Sequence, residues 1–83
     1  MGRRRRLEGS EAVTEQIRAE MVANVLSLLV SSGDVVEPGQ AVVIMESMKM
    51  EIPVLAEHGG TVSAVSVAEG DVVQEGDVMV ELA

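Results

Sequence analysis

The chain has 83 residues, no cysteine and no aromatic residue, so it has room for one small domain with an aliphatic core and no large active-site cleft. From residue 11 onward, thirteen acidic residues stand against Arg18 and Lys49, which leaves a net charge of −11 and excludes binding to nucleic acid or anionic membranes. The lack of cysteine excludes disulfides and thiolate metal sites, and no apolar run reaches the roughly 20 residues of a membrane span. We therefore expect a soluble, cytoplasmic protein.

The first residues resemble an expression tag. Four consecutive arginines, Arg3 to Arg6, precede Leu7-Glu8-Gly9-Ser10, which is typical of a cloning scar, and such segments carry no information about a fold. We predict that residues 1–15 are a tag and a disordered N-terminal segment, and that the domain spans residues 16–83. If the arginines are native, they would form a basic arm.

Valine-rich runs separated by turn residues predict an all-β fold, because valine is stiff at its first side-chain torsion and is favoured on pleated surfaces. Pro38-Gly39 is typical of a type II turn, in which proline presets the first torsion and glycine supplies the positive φ. The uninterrupted apolar run from Val42 to Met45 indicates a central strand. The predicted strands cover residues 16–20, 23–30, 34–36, 41–46, 50–55, 60–67, 71–73 and 78–82.

The chain also contains an internal repeat. A shift of 37 residues aligns Val30–Gly39 with Val67–Gly76, and the copies at residues 17–46 and 54–83 share ten identities. One copy is too short to bury its own apolar face, so we expect the two to pack together. The predicted fold is a flattened β-barrel or sandwich of two small antiparallel sheets with approximate two-fold symmetry, a barrel-sandwich hybrid.

Lys49 is the one lysine of the chain, and it lies in the sequence Glu46-Ser47-Met48-Lys49-Met50-Glu51 between the two copies. A two-fold axis that relates the copies would relate this junction to the chain ends. We therefore predict that Lys49 lies on a hairpin turn at the pole opposite both termini. A single isolated amine in this position indicates a site at which the amine itself is modified.

This motif and its surroundings resemble the biotinyl carrier domain family, whose hallmark is a lysine between two methionines. The resemblance covers about residues 16–83. It departs from the family at Ala19–Ala23, where many carriers have proline and glycine. The matching segments are Glu46–Met50, Gly39–Val42, Glu57–Val62 and Glu69–Val73.

The resemblance implies that a biotin protein ligase attaches biotin covalently to Lys49. The domain would be a non-catalytic carrier, monomeric in isolation, that moves a carboxyl group on biotin between biotin carboxylase and carboxyltransferase sites. Met48, Met50, Glu46 and Ser47 would contribute to ligase recognition, although the methionines could instead pack at the tip. Because a lysine amine is protonated at neutral pH, the ligase must accept its proton and supply an activated biotin.

Two other functions stay open. A lipoyl carrier of a 2-oxoacid complex would share the fold and the hairpin lysine, but such domains usually have Asp-Lys-Ala in place of Met-Lys-Met. An unmodified acidic interaction module would merely expose Lys49. We expect no catalytic residue, and no metal site at His58, the one histidine, because it lacks a second imidazole or a thiol partner. Gly33-Asp34 and Gly70-Asp71 are interpreted as turns.

Overall fold

The structure is a computed structural model that describes residues 14–83. The predicted tag and most of the predicted disordered segment lie outside the described residues. Strand ends differ from the prediction by at most two residues. Among the described residues there is no helix long and apolar enough to cross a membrane. The strands are β1 (Glu15–Arg18), β2 (Ala23–Leu28), β3 (Val35–Val36), β4 (Ala41–Ser47), β5 (Met50–Leu55), β6 (Gly60–Val65), β7 (Val72–Val73) and β8 (Val78–Leu82).

These strands form two four-stranded antiparallel sheets. The hairpin sheet has the order β5-β4-β2-β7, and the second sheet has the order β1-β8-β6-β3. A shift of 37 residues converts β2 into β6 and β3 into β7, so each sheet contains the counterparts of the other sheet's strands. The predicted all-β fold is confirmed, as is the predicted central position of β4.

The two-fold relation extends to backbone hydrogen bonds. The Val25 N–H donates to the Asp71 carbonyl at 2.8 Å, and the Val62 N–H donates to the Asp34 carbonyl at 2.8 Å. Donors and acceptors in the two bonds are both 37 positions apart. The two copies therefore form one domain, in which each sheet contains strands from both copies and each copy accepts backbone hydrogen bonds from the other.

The turns have the chemistry that their residues predict. The carboxylates of Asp34 and Asp71 accept hydrogen bonds from the N–H groups of Ser31 and Ala68, each at 2.8 Å, which closes equivalent turns in the two copies. Gly39 has a φ of 83°, as a type II turn after proline requires.

The core lies between the two sheets. From their apolar character alone, Met21, Met45 and Met79 are all expected in the core. Met45 and Met79 are buried, but Met21 is 40% exposed because it lies in the turn between β1 and β2. Full burial of one valine or leucine side chain stabilises a fold by roughly 1.5–3 kcal/mol. The buried apolar residues are Ile17, Ala19, Ala23, Val25, Val30, Val36, Val42, Val43, Met45, Ala56, Val62, Val73, Met79, Val80 and Leu82.

Bulges explain why the apolar alternation slips within β6. The register of β6 against β8 shifts between Val62 and Ala64, and the register of β2 against β4 shifts between Val25 and Ser27. A bulge places one extra residue on one strand, so that the alternation of side chains between the two faces shifts by one residue after it. Val62 and Val65 therefore both reach the core despite their spacing of three.

Candidate functional site: a lysine hairpin

Lys49 lies at the tip of the hairpin between β4 and β5. Ser47 pairs with Met50, so Met48 and Lys49 alone form the turn, with φ of 53° and 65°. Positive φ at both central residues is characteristic of a type I′ turn, whose twist matches that of the flanking strands. The left-handed conformation costs a residue with a side chain roughly 1–2 kcal/mol, so the strand register imposes a strained turn on this tip.

The side chains at the tip are open to solvent. Lys49 is exposed, and Met48 and Met50 are exposed by 90% and 64%. An exposed thioether gains none of the packing that a core methionine has. The interpretation that the two methionines pack at the tip is therefore not supported, and both remain available to a partner.

The strand register assigns the neighbours of Lys49 to two faces. Met45 is buried in the core, so two residues further along β4 Ser47 lies on the inner side, where its Oγ donates to the Val22 carbonyl at 3.4 Å. Glu46 and Glu51 pair directly with one another on the outer face. The four predicted recognition residues thus surround the lysine, but they do not share one surface.

The opposite end of β5 is joined to the first described strand. The Glu15 carboxylate accepts hydrogen bonds from the N–H groups of Glu57 and His58 at 2.8 and 3.0 Å, and from that of Gly59 at 3.3 Å. Burial raises the pKa of the Glu15 carboxyl, but the three N–H donors and the positive charge of nearby His58 outweigh burial and hold this pKa below its ordinary value.

This contact lies at the end of β5 remote from Lys49. Residues 49 and 57 are separated by the extended strand β5, which places them roughly 25 Å apart. Ala83 also lies at the far end, because the Thr61 N–H donates to its carbonyl at 3.2 Å. Lys49 and the C-terminal residue therefore lie at opposite ends of β5, as predicted for the C-terminus.

Sequence reasoning missed the role of Glu15. The predicted domain boundary excludes this residue, whereas the structure places it in β1 with its carboxylate on the turn after β5. A lone glutamate beside the predicted tag carries no local signal of a partner about 40 residues away. His58 lies in the turn after β5.

The structure also contains an open groove that the sequence did not predict. It has a volume of about 820 Å³ and lies between β1 and β5, toward the end remote from the hairpin tip. The guanidinium group of Arg18, which lines this groove, is hydrogen-bonded within the protein. Its Nη1 donates to the Gly76 carbonyl at 2.8 Å and its Nη2 donates to Gln16 Oε1 at 2.6 Å. Within residues 14–83 no group of three or more histidine, cysteine, aspartate or glutamate side chains is arranged to hold a metal ion.

Fold and hairpin together define a small two-sheet β domain that presents a single lysine on a tight turn. The family model of biotin/lipoyl domains, described as "Biotin-requiring enzyme", matches residues 15–82. The chain belongs to this family.

Similar proteins agree with this assignment. A homologue of biotinylated protein TB7.3 from Mycobacterium leprae is 55% identical over 67 residues, which are 81% of this chain and 94% of that protein. A biotin/lipoyl attachment protein from Bacillus subtilis is 48% identical over 66 residues, which are 80% of this chain and 90% of that protein. The crystal structure of Kluyveromyces lactis urea carboxylase matches with a TM-score of 0.80 and 30% identity, over 92% of this chain and 7% of the carboxylase chain.

Proposed function

We propose that this protein is a biotin carboxyl carrier and that Lys49 is its attachment residue. The observation that carries the proposal is the position of Lys49: the one lysine of a chain from a biotin-requiring family lies exposed at the tip of a two-residue turn. Relatives of nearly the same length are named for their biotinylation or for attachment of biotin or lipoate, which supports the same function here.

Attachment needs a ligase. The Nζ atom of Lys49 attacks the carbonyl carbon of an activated biotin, so that a C–N bond forms and the bond to the leaving group breaks. One proton must leave Nζ during this step, and the tip offers no histidine to accept it, because His58 lies at the other end of β5. The biotin protein ligase therefore supplies both the activated biotin and the base.

The attached biotin then acts as a mobile arm. A biotin carboxylase places a carboxyl group on it, and a carboxyltransferase removes that group to an acceptor. The carrier itself catalyses neither step; it raises the local concentration of the carboxylated group at two sites in turn. We propose that it works as a monomer in the cytoplasm.

The tip residues have distinct proposed roles in ligation. Met48 and Met50 offer flexible, exposed apolar side chains to the ligase, and Glu46 and Glu51 add negative charge on the outer face. Ser47 is half-buried and bonded to the turn between β1 and β2, so its role is to position the hairpin.

Intact mass after co-expression with a biotin protein ligase tests the attachment. We expect a mass increase that corresponds to one biotin, together with retention on streptavidin, and complete loss of both in Lys49→Ala. Biotin that persists in Lys49→Ala would exclude Lys49 as the site. Co-expression with a lipoyl ligase and lipoate distinguishes the lipoyl carrier, and no modification by either ligase would favour the unmodified interaction module.

A further inference from the structure

The outer faces of the two sheets differ, although the repeat relates their backbones. On the second sheet, Gln16 pairs with Glu81, and its Nε2 donates to Glu81 Oε2 at 2.9 Å. Ser63 Oγ donates to the carbonyl of the same glutamate at 3.2 Å. These three residues make a polar row that satisfies its own hydrogen bonds and faces solvent.

At the three equivalent positions, 37 residues away, the hairpin sheet carries Pro53, Ile44 and Leu26. Ile44 pairs with Pro53 on β5 and with Ser27, the neighbour of Leu26, on β2, so we call these three residues the apolar row. Leu26 is 40% exposed, Pro53 is exposed and Ile44 is half-buried. At these three positions the same backbone thus carries polar side chains on the second sheet and apolar side chains on the sheet that carries Lys49.

Two glutamates extend this face toward the tip. Glu46 and Glu51 lie two residues beyond Ile44 and two before Pro53, on the same face, and pair directly with each other. Directly opposed like charges destabilise an antiparallel pair. An apolar side chain that stays exposed to water does not contribute the free energy that its burial would give. The glutamate pair costs the isolated domain stability and the apolar row contributes little burial, as is expected where a surface is used for binding.

The charges determine what can cover this face. A second copy would set its own Glu46 and Glu51 against the first pair, in a body with a net charge of −11 from residue 11 onward, so self-association is opposed electrostatically. The complementary surface has an apolar centre and a basic rim. Among proteins that meet the carrier, the ligase reacts at Nζ of Lys49 itself, whereas the carboxylase sites react with the far end of the attached biotin. The ligase therefore comes closest to the hairpin sheet.

We propose that the biotin protein ligase docks on the outer face of the hairpin sheet, with an apolar surface on Leu26, Ile44 and Pro53 and basic side chains beside Glu46 and Glu51. This docking orients the tip so that Lys49 enters the ligase active site. The inference rests on the proposed biotinylation of Lys49 and adds the surface by which the ligase selects this chain.

The repeat supplies a matched test. Leu26→Ser introduces the residue found at the equivalent position 63. Together with Ile44→Thr it replaces two of the three residues of the apolar row by polar residues without adding charge. We expect kcat/KM for biotin incorporation by purified ligase to fall about tenfold in the double variant. The control is Val35→Ser, an exposed apolar residue on the outer face of the second sheet, for which kcat/KM should be unchanged.

A second, single-residue comparison avoids the half-buried Ile44. Val72 is the repeat counterpart of Val35 and pairs with Asn24 on the outer face of the hairpin sheet. Val72→Ser should lower kcat/KM two- to threefold while Val35→Ser does not. Glu46→Gln with Glu51→Gln should lower kcat/KM at low salt and weaken its salt dependence. Thermal unfolding of each variant shows whether the fold is retained.

The outcomes separate the docking surface from the proposed function. If the wild-type domain is not biotinylated, the proposed function is wrong. If it is biotinylated but the folded Leu26→Ser, Ile44→Thr variant reacts as fast as Val35→Ser, the docking surface alone is wrong. A variant that is biotinylated normally but accepts carboxyl groups slowly from biotin carboxylase would assign the face to that enzyme and overturn the ligase assignment. Concentration-dependent dimers of the wild type that the double variant abolishes would assign it to a second copy.

Discussion

Met48 and Lys49 hold consecutive left-handed backbone conformations, with φ of 53° and 65°, in a turn closed by the pairing of Ser47 with Met50. Neither residue type favours this conformation. The register of β4 and β5 extends to the tip and leaves two residues to reverse the chain. Among the described residues other than glycine, positive φ therefore occurs at the proposed site of modification.

The strain at the turn predicts that Met48→Asn stabilises the fold. Asparagine tolerates the left-handed region and suits the first central position of a type I′ turn, while Met48 is 90% exposed and loses no burial. We expect the free energy of unfolding to rise by about 1 kcal/mol, as measured by chemical denaturation. Met50→Asn is the control, since Met50 lies in β5 and should gain nothing from the change. Equal stabilisation by both variants would contradict the strained turn.

The exposure of the methionines predicts that their loss affects ligation and not folding. Met48→Ala and Met50→Ala should each lower kcat/KM for biotin incorporation by about tenfold and leave the unfolding temperature within two degrees or so of the wild type. Leu29→Ala, an exposed apolar residue beyond the far end of β2, is the matched control. If Leu29→Ala slows the ligase as much as the methionine changes, the effect is not specific to the tip.

The Glu15 contact predicts a loss of stability in acid. The folded-state pKa of Glu15 lies below the ordinary value of 4.5. Its ionised carboxylate therefore contributes stability that is fully present above the unfolded-state pKa and is lost as pH falls through the folded-state pKa. At pH 7, Glu15→Gln should lower the free energy of unfolding by about 1 kcal/mol.

Chemical denaturation of both proteins between pH 7 and pH 3 measures this contribution, since the other carboxylates titrate in both. The difference between wild type and Glu15→Gln should shrink as the pH falls below about 4.5. A difference that stays constant over this range would show that Glu15 stabilises the fold by packing and not through the charge of its carboxylate.

Two glycines with nearly equal φ predict different costs of an added methyl group. Gly59 and Gly39 have φ of 85° and 83°, but a Cβ on Gly59 would lie 2.6 Å from the Val36 carbonyl oxygen, while one on Gly39 would meet nothing within 4 Å. Gly39→Ala should cost about 1 kcal/mol from the backbone conformation alone. Gly59→Ala should cost a further 1–3 kcal/mol, because backbone must shift. Equal unfolding free energies for the two variants would contradict the close approach.

Several elements follow from local chemistry and were predictable from the sequence. β-branched runs bounded by Gly-Asp and Pro-Gly turns place the strands within two residues of their observed ends. The 37-residue repeat predicts the two-fold arrangement, because neither copy can bury its apolar face alone. The isolated lysine between the copies then predicts the hairpin tip.

Other features depend on contacts between residues that are distant in the sequence. The bulge that puts Leu26 and Ser27 opposite Ile44 is a matter of strand register, and simple alternation does not show it. The Glu15 carboxylate finds its partners about 40 residues away. Met21 is apolar, yet it is exposed because its turn leaves the core.

The sequence by itself determined that this chain is a repeated β domain built to present Lys49, since strand propensity, turn residues and an internal repeat are local or self-comparing signals. The tertiary structure alone decided which face each neighbour of Lys49 occupies. Ser47 turns inward, Glu46 and Glu51 turn outward, and the apolar row lies behind them. The physical reason is that a one-residue shift of register moves every following side chain to the other face of a sheet, and that register is set by pairing with strands elsewhere in the chain.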